Sequence, residues 1–245
     1  DFTPELRAEA ERIASAYRLG PIFTPPSLPG ADGLRGTLML PAMTGGANWQ
    51  GGAVDPETGI LYVSSVTNPM RVVPRAPGRT LEVPGGALPV GGGRPPAAGG
   101  QARSGPRGCG AMGPQGLPLV KPPWGRITAI DLNSGEHVWM VPNGDTPDRI
   151  TNHPLLAGLD IPNTGFQGHS TALVTGSLLM FAEGRGGRAL WYAADKRTGE
   201  RIGSVEIPAP SSTAPMTYMH EGVQYIIVPI AGNGIPGSLA ALRLR

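Results

Sequence analysis

At 245 residues the chain has room for one large or two small domains, and its 38 glycines and 28 prolines make it rich in turn-forming residues. Hydrophobic residues at 40% against charged residues at 16% exclude a wholly disordered chain, so the glycine and proline content points to a loop-rich all-β fold. A net charge of +2, with few aromatics among the arginines between Arg71 and Arg107, excludes nucleic acid as a favoured partner. The single cysteine, Cys109, permits no internal disulfide, and its thiol is read as free and without a catalytic role. No apolar run is long enough to cross a membrane as a helix. The chain begins Asp1-Phe2-Thr3-Pro4 without an initiator methionine, and is expected to be a piece of something longer.

Thr3 and Pro4 read as a helix start, a hydroxyl cap followed by proline at the first helical position. Leu6, Ala10, Ile13, Ala14 and Tyr17 follow at helical spacing, and Gly20-Pro21 ends the run. Residues 21–36 form a proline- and glycine-rich connector. From there the pattern predicts short strands near 37–41, 51–55, 60–66, 126–132, 136–141, 170–175, 177–183, 189–195, 201–207, 215–221, 223–231 and 239–245. Many short strands with close turn signals predict an all-β sandwich, barrel or propeller. Residues 71–118 read as a long Gly/Pro-rich loop, and 142–169 as a second, shorter irregular stretch.

The stretch Gly45-Gly46-Ala47-Asn48-Trp49-Gln50-Gly51-Gly52 stands before a strand–turn–strand unit whose turn is Asp55-Pro56-Glu57-Thr58-Gly59. Its glycines let backbone approach something flat and polar closely. An Asn-Trp pair in that frame is either a ligand contact or a packed corner, glycine marking a bulge more often than a site.

An internal repeat follows. Ile127–Trp139 and Leu190–Gly203 each hold an apolar strand, an Ala/Asp step, a Ser/Thr-Gly-Glu turn and a second strand. The aspartate of such a turn accepts hydrogen bonds from following backbone amides while the glycine takes positive φ. Recurrence of the unit marks a repeat fold whose blades bury themselves against neighbours. The Trp139 position is Gly203 in the second copy, which removes one docking indole.

Ala129-x-Asp131-x-x-Ser134-Gly135-x-x-x-Trp139 resembles the tryptophan-docking motif of eight-bladed quinoprotein propellers. Four more stretches match that family in the same order: Gly45–Trp49, Lys121–Arg126, Leu173–Thr175, and Pro215–Tyr218 followed by Gln224-Tyr225. The chain resembles the C-terminal part of pyrroloquinoline-quinone (PQQ)-dependent dehydrogenases, nearer the membrane-bound glucose dehydrogenase type than the methanol/ethanol type. The resemblance implies about three four-stranded blades of an eight-bladed β-propeller with one short N-terminal helix, residues 1–245 being the C-terminal portion of a single propeller domain.

That resemblance implies a sugar, polyol or other alcohol as substrate, PQQ as cofactor, and calcium or another divalent or lanthanide ion whose ligands lie outside this sequence. It implies a membrane quinone or a cytochrome as electron acceptor, the remaining blades as partners, and a periplasmic location with an inner-membrane anchor supplied by a missing N-terminal segment. It matches Asn48 to an amide that hydrogen-bonds the cofactor region, with Trp49 beside it. It places Gly168-His169-Ser170-Thr171 where the methanol/ethanol branch carries Trp-Gly-Gly near the quinone, so that His169 meets cofactor carboxylates or a substrate hydroxyl, or is a hydrogen-bonded loop histidine. The family's catalytic aspartate, its lysine and its metal ligands belong to blades preceding the Thr3–Tyr17 helix. No catalytic residue or metal ligand is carried over, and this piece alone is expected to be inactive.

The remaining candidates carry less. His137 and His153 have no partners at metal-ligand spacing, His220 stands at a hairpin tip, and Asn233 ends a late strand in a loop expected at the candidate site's end. Gly184-Arg185-Gly186-Gly187 resembles a phosphate loop superficially, but no Lys-Ser/Thr and no helix follow. No Cys-x-x-Cys-His attaches a haem. Two other readings stand beside the dehydrogenase: a non-catalytic propeller scaffold of the outer-membrane assembly lipoprotein type that binds protein partners on its loops, and a degenerate inactive fragment. The Asn48-Trp49 frame and the long loop weigh against the scaffold, whose blades are more uniform.

Overall fold

The computed structural model describes residues 1–72 and 113–243. Cys109 and most of the long loop lie outside the described residues. The chain divides into two compact units, one of Asp1–Met43 with Asn68–Lys121 and one of Thr44–Thr67 with Pro122–Arg245.

The first unit holds helix α1 (Pro4–Ser15) and a two-stranded antiparallel sheet of β1 (Thr37–Met39) and β4 (Met70–Val72). The expected cap is present: the Thr3 hydroxyl accepts from the Leu6 amide at 3.2 Å, and Pro4 opens the helix. The helix stops at Ser15, ahead of the expected stop at Gly20-Pro21. The backbone beyond it is taken by a competing pairing, with Arg35 N–H donating to Ala16 O, Arg18 N–H to Gly36 O and Leu38 N–H to Arg18 O. Strand β4 falls at the start of what the sequence reads as loop, because three residues are too few to show an alternation.

The second unit holds three antiparallel sheets. The first has the order β2 (Gly52–Asp55), β3 (Ile60–Val66), β5 (Gly125–Asp131), β6 (His137–Pro142). The second runs β7 (Ala172–Val174), β8 (Leu178–Ala182), β9 (Leu190–Asp195), β10 (Arg201–Glu206). The third has three strands, β11 (Met216–His220), β12 (Val223–Gly232) and β13 (Ile235–Arg243). The last strand thus begins at Ile235 rather than near 239, directly after the Gly232-Asn233-Gly234 turn, where Asn233 takes a φ of 53°. A short helix, α2 (Asp148–Thr151), lies in the second irregular stretch.

Strand β8 shows why the sheets stack. It is apolar at every position, which suits a strand buried on both faces. Leu179 and Phe181, with Tyr192 and Ala194 of β9, pack against Tyr62, Ile127 and Ala129 of the first sheet. Met180 and Ala182, with Trp191, pack against Ile226, Val228, Ile230 and Ala240 of the third. Each fully buried large side chain in these two layers stabilises by about 1.5–3 kcal/mol. Successive four-stranded sheets stacked face to face are the blades of a propeller, as the repeat implies.

The two ends of these sheets differ. At one end stand tight hairpins, and three of them share one design. Asp55, Asp131 and Asp195 each receive the amide of the glycine four residues on, at 2.9, 2.7 and 2.8 Å. Those glycines, Gly59, Gly135 and Gly199, have φ of 71°, 78° and 76°. The aspartate carboxylates accept from the Glu57, Asn133 and Arg197 amides, which helps hold the pKa of all three below the ordinary carboxylate value, for Asp55 behind the larger effects of Lys196 and Thr58 and for Asp195 behind the Arg197 guanidinium. The Asp55 turn is a third copy of the repeated unit. At the opposite end stand the long connections 44–51, 142–171, 183–189 and 207–215.

Candidate functional site

Asn48, Trp49 and His169 all lie at the long-loop end of the second unit, on two loops tied to the end of one strand. The Val66 amide of β3 donates to Gly46 O at 3.0 Å and holds the Asn48 loop. The Ser170 amide donates to Ser64 Oγ at 3.3 Å and holds the His169 loop against the same strand. Ser170 is buried, and its hydroxyl also bonds Ala182 O of β8.

The Asn48 loop is a closed turn. Gly51 N–H donates to Asn48 O at 2.9 Å, and Asn48 Nδ2 donates to Thr44 O. Gly45 and Gly51 take φ of 77° and 66°, and Gly52 must be glycine for space: a Cβ there would sit 2.8 Å from Tyr62 O. Asn48 is exposed, and with its amide nitrogen holding the turn, its Oδ1 remains available as an acceptor. Trp49 projects from the turn and is 96% exposed, so its indole is not packed in a blade corner among the described residues.

His169 is half-buried, and its imidazole has no hydrogen-bond partner among the described residues. Burial alone lowers its pKa below the ordinary 6.5, which keeps the ring neutral at pH 7. A neutral ring offers one donor and one acceptor, a weaker counter-ion for carboxylates than an imidazolium but a good partner for a hydroxyl or carbonyl. Its backbone is fixed by close approach: a Cβ on Gly184, whose φ is 88°, would lie 2.0 Å from His169 O.

The glycine run after Glu183 has an occupant that the sequence does not suggest. Glu183, buried to 2% exposure, accepts from the Arg188 amide at 2.7 Å, from Arg188 Nε and Nη2 at 2.9 and 2.7 Å, and from the Tyr192 hydroxyl at 2.8 Å. Arg188 and Arg201 each reach Asp145 at 2.5 Å, and Arg201 lies over the Tyr192 ring at 4.8 Å. Burial pushes the Asp145 carboxyl up, but the two guanidinium groups outweigh it and hold its pKa below the usual range. Burial and then Glu183 push the Tyr192 phenol well up, so it stays a donor. A carboxylate of the chain's own thus takes the Arg188 amide and guanidinium donors beside the 184–187 loop.

The other histidines have local roles. His153 Nδ1 accepts from the Leu155 amide at 3.3 Å, and His220 is exposed beside Tyr225. The hairpin of Asn233 opens at the long-loop end, where Ala231 N–H donates to Pro210 O at 3.0 Å. No cluster of three or more His, Cys, Asp or Glu able to hold a metal ion occurs among the described residues. No helix among them is long and apolar enough to cross a membrane.

Comparison with known proteins gives this geometry its context. The profile of the family "PQQ: glucose/ethanol/alcohol dehydrogenase, beta-propeller domain" matches residues 1–226. The chain is 30% identical over 219 residues to the quinoprotein glucose dehydrogenase of Escherichia coli (strain K12), covering 89% of this chain and 26% of that protein. It is 29% identical over 229 residues to the glycerol dehydrogenase large subunit of Gluconobacter thailandicus, covering 86% of this chain and 29% of that one. The crystal structure of quinohemoprotein alcohol dehydrogenase from Comamonas testosteroni superposes with a TM-score of 0.49 at 18% identity, covering 84% of this chain and 28% of that chain. The chain thus spans between a quarter and a third of the length of the relatives it matches.

Proposed function

The chain belongs to the PQQ glucose/ethanol/alcohol dehydrogenase β-propeller family, and from that premise we propose that it supplies the C-terminal blades of a dehydrogenase that oxidises a sugar, polyol or other alcohol. In this reading the whole chain is one portion of a single propeller domain. Electrons pass to a membrane quinone or a cytochrome, and the enzyme works in the periplasm.

The observation that carries the reading is the pairing of the Asn48 and His169 loops on the end of β3, with an exposed amide on one and, on the other, a neutral imidazole that has no partner among the described residues. Those groups fit a flat, polar heterocycle with carbonyl oxygens. When bound, PQQ supplies the two-electron acceptor. Asn48 Oδ1 accepts a hydrogen bond from a ring N–H or a substrate hydroxyl. His169 donates to an oxygen or accepts from a hydroxyl, and its neutrality suits either. The exposed Trp49 indole adds a flat apolar surface that excludes water from one side of the ligand. The base that removes the substrate proton, and the ligands of a calcium or lanthanide ion, come from outside this chain.

The test is made on the full-length protein that carries these residues. PQQ binding is measured by equilibrium dialysis, and dye reduction is assayed with a panel of alcohols and aldoses. Asn48→Ala and His169→Ala are each expected to weaken PQQ binding by about tenfold, the worth of roughly 1.4 kcal/mol. Failure of the full-length protein to bind PQQ would overturn the reading in favour of a scaffold propeller.

A further inference from the structure

The second unit contains two half-buried guanidinium groups that meet no carboxylate among the described residues. Arg188, Arg197 and Arg201 each sit on an aspartate or glutamate within 3.1 Å. Arg126 and Arg149 do not. Arg126 stands at the start of β5, on the face of the first sheet turned away from the second, in register with Ser65. Its Nε donates to Ser65 Oγ at 3.1 Å and its Nη2 to Thr67 Oγ1. Arg149 stands on α2, and its Nη2 donates to Gln167 Oε1 at 2.9 Å. Gln167 Nε2 in turn reaches Thr67 O at 3.5 Å, so Thr67 and Gln167 join the two guanidinium groups at the long-loop end.

The charge arithmetic is unusual. A guanidinium carries five N–H donors and stays charged at any physiological pH. Arg126 gives two of its nitrogens, and Arg149 one, to neutral oxygens. Arg126 Nη1 and Arg149 Nε and Nη1 have no acceptor among the described residues. Burial alone bears on the pKa of each group, lowering it, and no acidic neighbour among the described residues opposes that. Partly desolvated charge without a counter-ion is costly, and the remedy that suits two planar forks is an oxyanion held by several N–H groups.

We propose that Arg126 and Arg149 form a binding site for the carboxylate or phosphate group of a small molecule. The site adjoins the His169 loop, since Gln167 lies two residues before His169, but it uses neither His169 nor Asn48 and does not depend on the cofactor reading. Thr67 and Gln167 position the forks, and the unused Nη and Nε donors take the ligand oxygens.

The test is isothermal titration of the full-length protein, without PQQ, against sodium malonate and separately against inorganic phosphate, with sodium chloride at matched ionic strength as the blank. Saturable binding is expected. Arg149→Gln is expected to weaken it at least tenfold, and this variant breaks no ion pair, so it is expected to fold. Arg149→Lys, which keeps the charge without the fork, is expected to recover only part. Arg126→Gln gives the second arm, with circular dichroism reporting its fold. Tighter malonate supports a carboxylate ligand, and tighter phosphate a phosphate ester. No saturable heat in the wild type overturns the proposal, since the two groups would then be neutralised from within the longer protein. Undiminished binding in both glutamine variants overturns it as well. Neither outcome bears on PQQ affinity, so this site and the cofactor site fail or stand separately.

Discussion

Lys196 Nζ lies 2.6 Å from Asp55 Oδ2, and the two side chains are 9% and 4% exposed. They belong to the tight turns of adjacent blades, so a buried ion pair ties one turn to the next. The same turn holds a second tie: the Trp139 indole N–H donates to Lys196 O at 3.3 Å, and its ring packs on Gly199, where a Cβ would sit 2.8 Å from it. Charge and indole thus fix one register between the first and second sheets.

The ion pair predicts an asymmetric mutational pattern. Asp55→Asn leaves Lys196 buried beside a neutral group and is expected to lower the unfolding midpoint. Adding Lys196→Met to Asp55→Asn is expected to recover part of that loss, because the orphaned charge goes too. Lys196 and then Thr58 lower the Asp55 pKa below its ordinary value. Its stabilising contribution is therefore present above the unfolded carboxylate pKa and is lost as pH falls through the folded one. Chemical denaturation of wild type and Asp55→Asn at pH 7 and pH 3 checks this, and a gap between them that does not shrink at pH 3 contradicts it.

Removing the Trp139 indole tests the other tie. Trp139→Ala takes away one hydrogen bond and the contact with Tyr62 at 5.7 Å between ring centres. The expected loss is about 2–3 kcal/mol, below the range for fully buried tryptophans because this ring is only partly buried. Gly199→Ala is expected to destabilise as well, since the new methyl strikes the ring and the residue has positive φ. Denaturant midpoints of the two variants decide whether docking or mere apolar burial matters. An unaffected Gly199→Ala would mean the indole does not seat on that turn.

His169 gives a prediction with a definite sign. Burial holds its folded pKa below the ordinary 6.5. Protons therefore favour the unfolded chain, and stability falls as pH drops below 6.5 toward the folded value. A histidine NMR titration is expected to show one resonance, absent in His169→Gln, with a midpoint below 6.5. A midpoint at or above it would remove the neutral imidazole from the proposed site.

What was legible in the sequence and what was not divides along the range of the interactions. The Asp131 and Asp195 turns announce themselves because their hydrogen bonds span only a few residues. The Asp55 turn has the same Asp-to-Gly spacing, and comparing all three would have found it. The early end of α1 was hidden, because what stops the helix is pairing with Gly36 and Leu38, far along the chain. Glu183 escapes notice for a different reason: it reads as the end of the 177–183 strand ahead of a glycine run, and only the fold closes Arg188 and Tyr192 around it. Asn48, Trp49 and His169 could be singled out by resemblance, but their meeting on the end of β3 is a property of the sheet.

The last prediction concerns the two outer faces of the blade stack. On the third sheet, the face turned from the second carries Met216, Tyr218 and Leu239, which are 55%, 43% and 70% exposed, and Tyr218 stacks on Tyr225 at 5.4 Å. On the first sheet, the outward face carries Val54, Val138 and Met140, each near half exposed. Alternation along the strands puts these side chains on one side, so each face gathers several exposed apolar side chains. In the family's propeller such faces are covered by neighbouring blades. The 245-residue chain expressed by itself is therefore expected to self-associate and to bind a hydrophobic dye strongly. Tyr218→Lys with Leu239→Lys is expected to reduce both effects while leaving far-ultraviolet circular dichroism unchanged. Light scattering across a concentration series makes the measurement, and a monodisperse monomer at high concentration would show that these faces need no cover.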